Sequence, residues 1–200
     1  WFLRTGPEPK VWHTADLAAE FTAAREGDVN SIAAYRALED RLFAELESEV
    51  VDKVPPEERT LINRYSAGSL SDPGVWPTNW NRSFELTADA PAGGVLLLHG
   101  MSDSPYSLRA LGQELNRRNY WVIGLRLPGH GTAPSGLLDV RWEDMSAVVQ
   151  MAVEHLAQKV GKQPIHRLTL GTRRNSGAEH RPSLVEAARA DGPSDLCQGD

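Results

Sequence analysis

Hydrophobic residues in the first quarter of the chain recur three or four positions apart, which is the period of an amphipathic helix. A short helix is predicted over residues 14–25, with Thr14 as its N-cap. A longer helix is predicted over about residues 30–51, because one face is apolar and Glu and Arg fill the other. The apolar face consists of Ile32, Tyr35, Leu38, Leu42, Phe43, Leu46 and Val50. The Pro-Pro pair at 55–56 ends this helical region.

The hydrophobic period changes to two after a polar loop. Residues 66–82 are rich in Ser, Gly, Pro and Asn, which predicts a loop. We expect its tryptophans, Trp76 and Trp80, to pin the loop to the body of the protein rather than to line a ligand cleft, because indole buries a large area. Phe84 and Leu86 then alternate with polar neighbours, which is typical of a half-buried strand.

Short apolar runs then alternate with helical patterns. Continuous apolar runs at 95–98 and 121–125 predict buried strands, and another strand is predicted to start at 164–170. A helix should open at Ser104-Pro105, with Ser104 as its cap, and a further helix should cover about 141–160. The inner stripe of the first consists of Leu108, Leu111 and Leu115, and that of the second consists of Trp142, Met145, Val149, Ala152, Val153, Leu156 and Val160.

This alternation predicts an α/β fold in which helices cover both faces of a parallel sheet. We therefore expect a helical N-terminal extension over 1–65, a loop over 66–82 and a partial α/β domain over 83–170. The segment 171–200 is expected to be irregular, because its large aliphatic residues are only Leu184, Val185 and Leu196.

Net charge, cysteine content and the chain start bear on which partners and cofactors the protein could bind. The net charge of −6 argues against nucleic acid, which favours a basic surface. Cys197 is the one cysteine, so no disulfide framework is expected. We find neither a metal-ligand cluster nor a phosphate-binding glycine loop and expect no metal and no cofactor. The start at Trp1-Phe2-Leu3-Arg4 fits either an arbitrary fragment or the stub of a membrane anchor or export signal upstream of Trp1, which leaves a cytoplasmic or an exported location open.

The motif with the clearest chemistry is Leu-Leu-His-Gly-Met-Ser-Asp-Ser-Pro at residues 97–105, where a strand runs through a glycine turn into a helix. Gly100 permits a turn that is too tight for a Cβ atom. The N–H of Met101 can then face a cavity above the sheet and stabilise an oxyanion.

A second motif, Leu-Arg-Leu-Pro-Gly-His-Gly-Thr at 125–132, follows the next strand. With both motifs at this separation, residues 83–166 resemble the monoglyceride-lipase, carboxylesterase and serine-aminopeptidase branch of the α/β-hydrolases. The resemblance implies an N-terminal portion of a serine hydrolase that acts on a small acyl ester or amide.

The same resemblance implies roles for individual residues. Met101 matches the residue whose backbone N–H forms the oxyanion hole, and His99 and Gly100 match its supporting turn. Residues 129–131, which are Gly129, His130 and Gly131, match a structural loop at the rim of the cleft. His130 is therefore not expected to be the general base.

The resemblance implies a Gly-x-Ser-x-Gly turn carrying the nucleophile at about residues 168–177, which read Leu-Thr-Leu-Gly-Thr-Arg-Arg-Asn-Ser-Gly. Ser176 lacks the glycine approach of such a turn, so the nucleophile of this chain is unknown. Other reading frames of plausible codons for 170–174 can spell Gly-Tyr-Ser-Thr, and we hypothesise a shifted frame. The chain is then expected to be inactive.

Two alternatives stay open at this point. One is a non-catalytic binding module on a hydrolase-like fold, with the helices of 14–51 docking a partner. The other is the same fold with an Asp nucleophile, as in dehalogenases and epoxide hydrolases, against which only the Pro-Gly-His-Gly loop argues.

Overall fold

The computed structural model describes residues 6–24 and 29–169, so the predicted irregular segment and Ser176 lie outside the described residues. The strands in this range are β1 (Phe84–Leu86), β2 (Gly93–Leu98), β3 (Tyr120–Leu125) and β4 (Ile165–Thr169). The helices are α1 (Val11–Thr14), α2 (Ile32–Leu46), α3 (Arg109–Arg117) and α4 (Trp142–Val160), and a π-helical turn, Glu47–Val51, continues α2. Every helix in the described range is too short or too polar to span a bilayer.

The four strands form one mixed sheet in the order β1-β3-β2-β4. β2 is parallel to both β3 and β4, with Val95 level with Val122 on one side and with His166 on the other. β1 is antiparallel to β3, which the alternation of elements did not predict. Only six residues, 87–92, join β1 to β2, and a parallel connection needs a dozen or more.

Helices cover both faces of this sheet, which explains why β2 is apolar at every position. Leu96 and Leu98 pack with Ile123 in a core that also contains residues of α2 and α4. Val95 and Leu97 face the other way, towards Phe84, Leu108 and partly buried Leu115 on the α3 side. The fold class predicted from the sequence is confirmed as a partial α/β sheet with flanking helices.

The predicted inner face of α3 is wrong at one position. Leu111 is exposed and Gly112 is buried, where it approaches the ring of Phe84. The helix starts as a 3₁₀ turn, Pro105–Leu108, whose three residues per turn rotate the following positions relative to an α-helix. The predicted Ser104 cap is also absent, because the Ser104 hydroxyl donates to Asn81 Oδ1 instead.

The helix predicted over 14–25 does not form within the described part of that segment. Thr14 ends the short α1, and irregular turns follow. The N–H groups of Ala18 and Ala19 donate to the Glu45 carboxylate at 2.9 and 2.8 Å. The Glu45 carboxylate on α2 therefore accepts backbone N–H groups that would otherwise donate to carbonyl groups within a helix over 14–25.

Candidate functional site

The His-Gly turn lies directly after β2, at the carboxyl end of the parallel strands. The turn closes where Asp103 N–H donates to the Gly100 carbonyl at 3.2 Å. Ser102 within it has a φ of 62°, the left-handed region that a non-glycine residue rarely adopts. Met101 lies on the surface of this turn, and its N–H donates to no group among the described residues.

His99 joins this turn to the loop after β3. Its Nδ1 donates to the Gly100 carbonyl at 2.9 Å, and its Nε2 accepts the N–H of Leu127 at 3.1 Å. Burial lowers the pKa of His99 to about 4, so the ring is neutral at pH 7. Both ring nitrogens are occupied, and His99 therefore fixes the geometry of two loops rather than carrying protons.

The Pro-Gly-His-Gly loop needs glycine at two positions. Gly129 and Gly131 have φ angles of 74° and 76°. A Cβ atom on Gly129 would meet the Gly136 carbonyl oxygen at 2.5 Å, and one on Gly131 would meet that of Asn81 at 2.7 Å. Conformation and close backbone contact both exclude larger residues here.

His130 sits between these glycines, and its ring centroid lies 5.1 Å from that of His99. Its Nδ1 donates to the Pro128 carbonyl at 2.9 Å, which leaves Nε2 as an acceptor in the neutral ring. Nε2 is buried and has no partner among the described groups. Burial lowers the pKa of His130, which keeps the ring neutral at pH 7.

The two loops enclose a cavity of about 330 Å³ together with the segment that precedes β1. The polar residues on its wall include Arg64, Tyr65, Ser102, Ser104, His130 and Thr132. The motif residues from two separate loops therefore line one site at the sheet edge where α/β proteins bind ligands.

A buried ion-pair network that the sequence analysis missed supports the second loop. Arg126 is fully buried, and its Nε donates to Glu39 Oε1 at 2.9 Å while its terminal nitrogens contact Glu20. Arg126 Nη1 also donates to the His130 carbonyl at 3.1 Å, and Gly129 N–H donates to Glu20 Oε2 at 2.9 Å. The loop is thus held by charged groups from the helical extension.

Glu39 is itself an exception to the predicted polar face of α2. It is buried, and Ser83 donates to it from both its N–H and its hydroxyl. Burial raises the pKa of Glu39, and the charge of Arg126 opposes that shift. A signal for this was present, because Glu39 lies four positions after Tyr35 and three before Leu42, on the apolar face.

The expectation for the two loop tryptophans is correct for one of them. Trp80 packs edge-on against Phe84 with ring centroids 5.1 Å apart, so it pins the loop. Trp76 is 54% exposed and does not. Both line a second cavity that adjoins the first.

Metal-binding clusters of three or more His, Cys, Asp or Glu side chains do not occur among the described residues.

The fold brings the two motifs together through His99, which contacts Leu127 and lies beside His130. The predicted residues that meet in this way are His99, Gly100, Gly129, His130 and Gly131, with Met101 at the surface of the His-Gly turn.

A mixed sheet with helices on both faces and two glycine loops at the carboxyl ends of β2 and β3 resembles a partial α/β-hydrolase fold. No family model matches the chain. A thermostable monoacylglycerol lipase of Bacillus sp. (strain H-257) is 33% identical to it over 92 residues, which are 46% of this chain and 37% of the lipase. The match thus spans well under half the length of that relative.

A solved structure described with two metagenome-derived lipolytic enzymes also aligns with the chain, at 28% identity and a TM-score of 0.41, over 44% of this chain and 36% of the other. The chain resembles α/β-hydrolases through an N-terminal portion of their fold, as the two motifs predicted.

Proposed function

We propose that this chain carries the N-terminal half of a serine hydrolase that cleaves carboxylic esters, with amides as the second substrate class. The observation that supports this most directly is the hydrogen bond between Leu127 N–H and His99 Nε2. It holds two loops, each at the carboxyl end of a parallel strand, around one cavity, which is where this class of fold binds its substrates.

In the proposed mechanism the backbone N–H of Met101 donates to the oxyanion that forms when a nucleophile attacks the ester carbonyl. A backbone donor held in place before the reaction stabilises this charge without reorganisation. Gly100 gives the turn its shape, and His99 keeps it against the neighbouring loop. His130 stays outside the proton transfer, because its Nδ1 is bonded to the main chain and its neutral ring lines the wall.

Because the bacterial relative is a monoacylglycerol lipase, we propose that the substrates are monoacylglycerol-like esters. The hydrolase proposal takes precedence over a docking module, because Tyr35 and Leu38 of α2 already pack into the core of the chain itself. An α2 face of this kind leaves no free apolar stripe for a partner.

We further propose that the 200-residue chain does not turn over esters, because its sequence contains no Gly-x-Ser-x-Gly turn. The purified chain should neither hydrolyse p-nitrophenyl butyrate nor react with a fluorophosphonate probe. Stoichiometric labelling of any serine would contradict the absence of a nucleophile.

The oxyanion role requires a chain with a nucleophile. Genomic DNA past the codon for His166 should contain a frame that encodes the missing turn, and its absence would rule out the shifted-frame hypothesis. In the protein made from that frame, Met101→Ala keeps the backbone N–H and should keep activity. Met101→Pro removes it and should lower kcat by about 10²–10³. Equal activity of the two variants, both checked for folding by circular dichroism, would exclude this role.

A further inference from the structure

Main-chain groups of the Pro-Gly-His-Gly loop are hydrogen-bonded to side chains at four consecutive residues, 129–132. The N–H of Gly129 donates to Glu20 Oε2 at 2.9 Å. The carbonyl of His130 accepts from Arg126 Nη1 at 3.1 Å, and that nitrogen also lies 2.9 Å from Glu20 Oε2. One carboxylate of the N-terminal extension, residues 1–65, therefore supports the first half of the loop.

The second half of the loop is bonded to two neighbouring side chains at the end of the same extension. Arg64 Nη2 donates to the carbonyl of Gly131 at 3.1 Å, and the hydroxyl of Tyr65 donates to the carbonyl of Thr132 at 3.0 Å. The second of these bonds is buried, so its loss would leave the Thr132 carbonyl without a partner in the interior. The extension therefore contacts the loop at both of its ends.

The Tyr65 ring is itself fixed by its neighbours. It is buried, and it stacks on Trp12 of α1 with ring centroids 5.3 Å apart and an interplanar angle of 22°. A donor whose ring is locked by packing positions its acceptor more precisely than a mobile side chain does. Tyr65 is therefore suited to fix the position of the Thr132 carbonyl.

The loop depends on such contacts because its backbone is irregular. Gly129 and Gly131 have φ angles in the left-handed region, so the main chain leaves the regular pattern of the strand before it. Within the loop, the N–H of His130 donates to the Leu127 carbonyl at 3.1 Å. A main chain without regular pairing is fixed by turn and side-chain hydrogen bonds, and here the extension supplies the side chains.

The orientation of the His130 ring depends on the conformation of this loop. Its Nδ1 donates to the Pro128 carbonyl at 2.9 Å, so the ring is bonded to the loop that carries it. The ring lines the cavity of about 330 Å³ together with Arg64 and Tyr65. A displacement of the loop would therefore move the ring and change the shape of the cavity.

We propose that Glu20 and Tyr65 of the N-terminal extension are positioning residues for the proposed ester site, which act by holding residues 129–132 and, through them, the His130 ring. This inference rests on the proposed function, because that function makes the cavity a substrate site. Walls that are held in place before the substrate binds orient it at a smaller entropic cost. The extension thereby belongs to the site, although Glu20 does not line the cavity.

The ring nitrogens of His130 report on this positioning in the 200-residue chain without any turnover. Nitrogen NMR of isotope-labelled histidine distinguishes a protonated ring nitrogen from a bare one, and the His130 signals are assigned by their loss in His130→Gln. At pH 7 we expect a protonated Nδ1 and a bare Nε2, as the bond to Pro128 requires. A ring released from this position samples both tautomers, which moves the two signals towards each other.

Tyr65→Phe removes the hydroxyl and keeps the ring that stacks on Trp12, so the variant should fold. We expect its two His130 signals to move towards each other. Tyr120→Phe is the matched control, because Tyr120 begins β3 at the end away from the loop and its hydroxyl donates to no group among the described residues. The control should keep the His130 signals of the natural chain.

Glu20→Gln tests the other end of the loop, because it removes the charge that faces Arg126. It should also displace the His130 signals. Unchanged His130 signals in both Tyr65→Phe and Glu20→Gln, with only a lower unfolding midpoint, would show that these residues stabilise the fold without positioning the ring, and would overturn the proposal.

Activity separates this inference from the proposed function. In the protein made from the frame that restores the nucleophile, Tyr65→Phe should lower kcat/KM about three- to tenfold, the effect of losing one hydrogen bond, and Tyr120→Phe should leave it unchanged. Ester hydrolysis with equal kcat/KM in the two variants would overturn the positioning role and leave the proposed function intact. No hydrolysis by that protein, together with displaced His130 signals in Tyr65→Phe, would support the positioning of the ring and overturn the catalytic proposal.

Discussion

Glu20 and Arg126 form a two-point ion pair, in which each terminal guanidinium nitrogen lies 2.9 Å from a different carboxylate oxygen. They are 106 positions apart in the sequence. Burial by itself would lower the pKa of Arg126, but the charge of Glu20 and its hydrogen bonds raise that pKa above its usual range. This pair ties the segment before α2 to the loop that carries His130.

We predict that Arg126→Met lowers the free energy of unfolding by about 3–5 kcal/mol, because it leaves the buried carboxylate of Glu39 without its counter-charge. Arg117→Met is the control, since Arg117 is exposed and its solvent-screened pair with Glu114 should contribute little to stability. Urea unfolding followed by circular dichroism measures both. Equal midpoints for the two variants would show that the network does not stabilise the fold.

Gly129→Ala should lower the free energy of unfolding by about 2–4 kcal/mol, because it combines a left-handed backbone with a clash against the Gly136 carbonyl. Gly68→Ala separates the two effects. Gly68 has a φ of 77° but nothing within 4 Å of the added Cβ, so only the backbone term of about 1 kcal/mol should appear. A loss at Gly129 no larger than at Gly68 would mean that the loop relaxes away from Gly136.

Acidification should destabilise the fold through His99. Burial lowers its pKa from 6.5 to about 4, so between these values the unfolded chain binds a proton that the folded chain does not. The contribution is complete above pH 6.5 and decreases by about 3 kcal/mol as the pH falls to 4. The free energy of unfolding against pH should therefore slope less in His99→Gln than in the natural chain.

His166→Gln serves as the control for that pH series, because His166 is exposed on the edge strand β4. The effect counts as specific to His99 where His99→Gln changes the slope more than His166→Gln does. A His99→Gln variant with an unchanged slope would show that this imidazole is protonated in the folded state.

Ser83 links Glu39 to the main chain of Arg126, because its hydroxyl donates to Glu39 at 2.8 Å and accepts Arg126 N–H at 2.9 Å. Ser83→Ala should therefore lower the free energy of unfolding by about 1–3 kcal/mol, the penalty of leaving buried partners unsatisfied. Ser107→Ala provides a matched comparison at an exposed hydroxyl and should change it by less than about 0.5 kcal/mol.

The sequence was sufficient where local pattern decides structure. The apolar run before His99 predicted β2, because a buried strand of this kind follows from neighbouring residues. The loop at 129–131 was implied by the family resemblance rather than by local pattern. The sequence was insufficient where residues far apart in the chain determine the local structure. The segment 14–25 follows a helical pattern, yet Glu45 takes its backbone donors, and Glu39 is buried only because Arg126 reaches it from another loop.

Thr169, the last residue of β4, is level with Leu98, the last residue of β2. Because the two strands are parallel, Thr169 and the His-Gly turn that follows Leu98 lie at the same edge of the sheet. A serine introduced at the end of β4 would therefore lie at the edge of the sheet that carries the His-Gly turn.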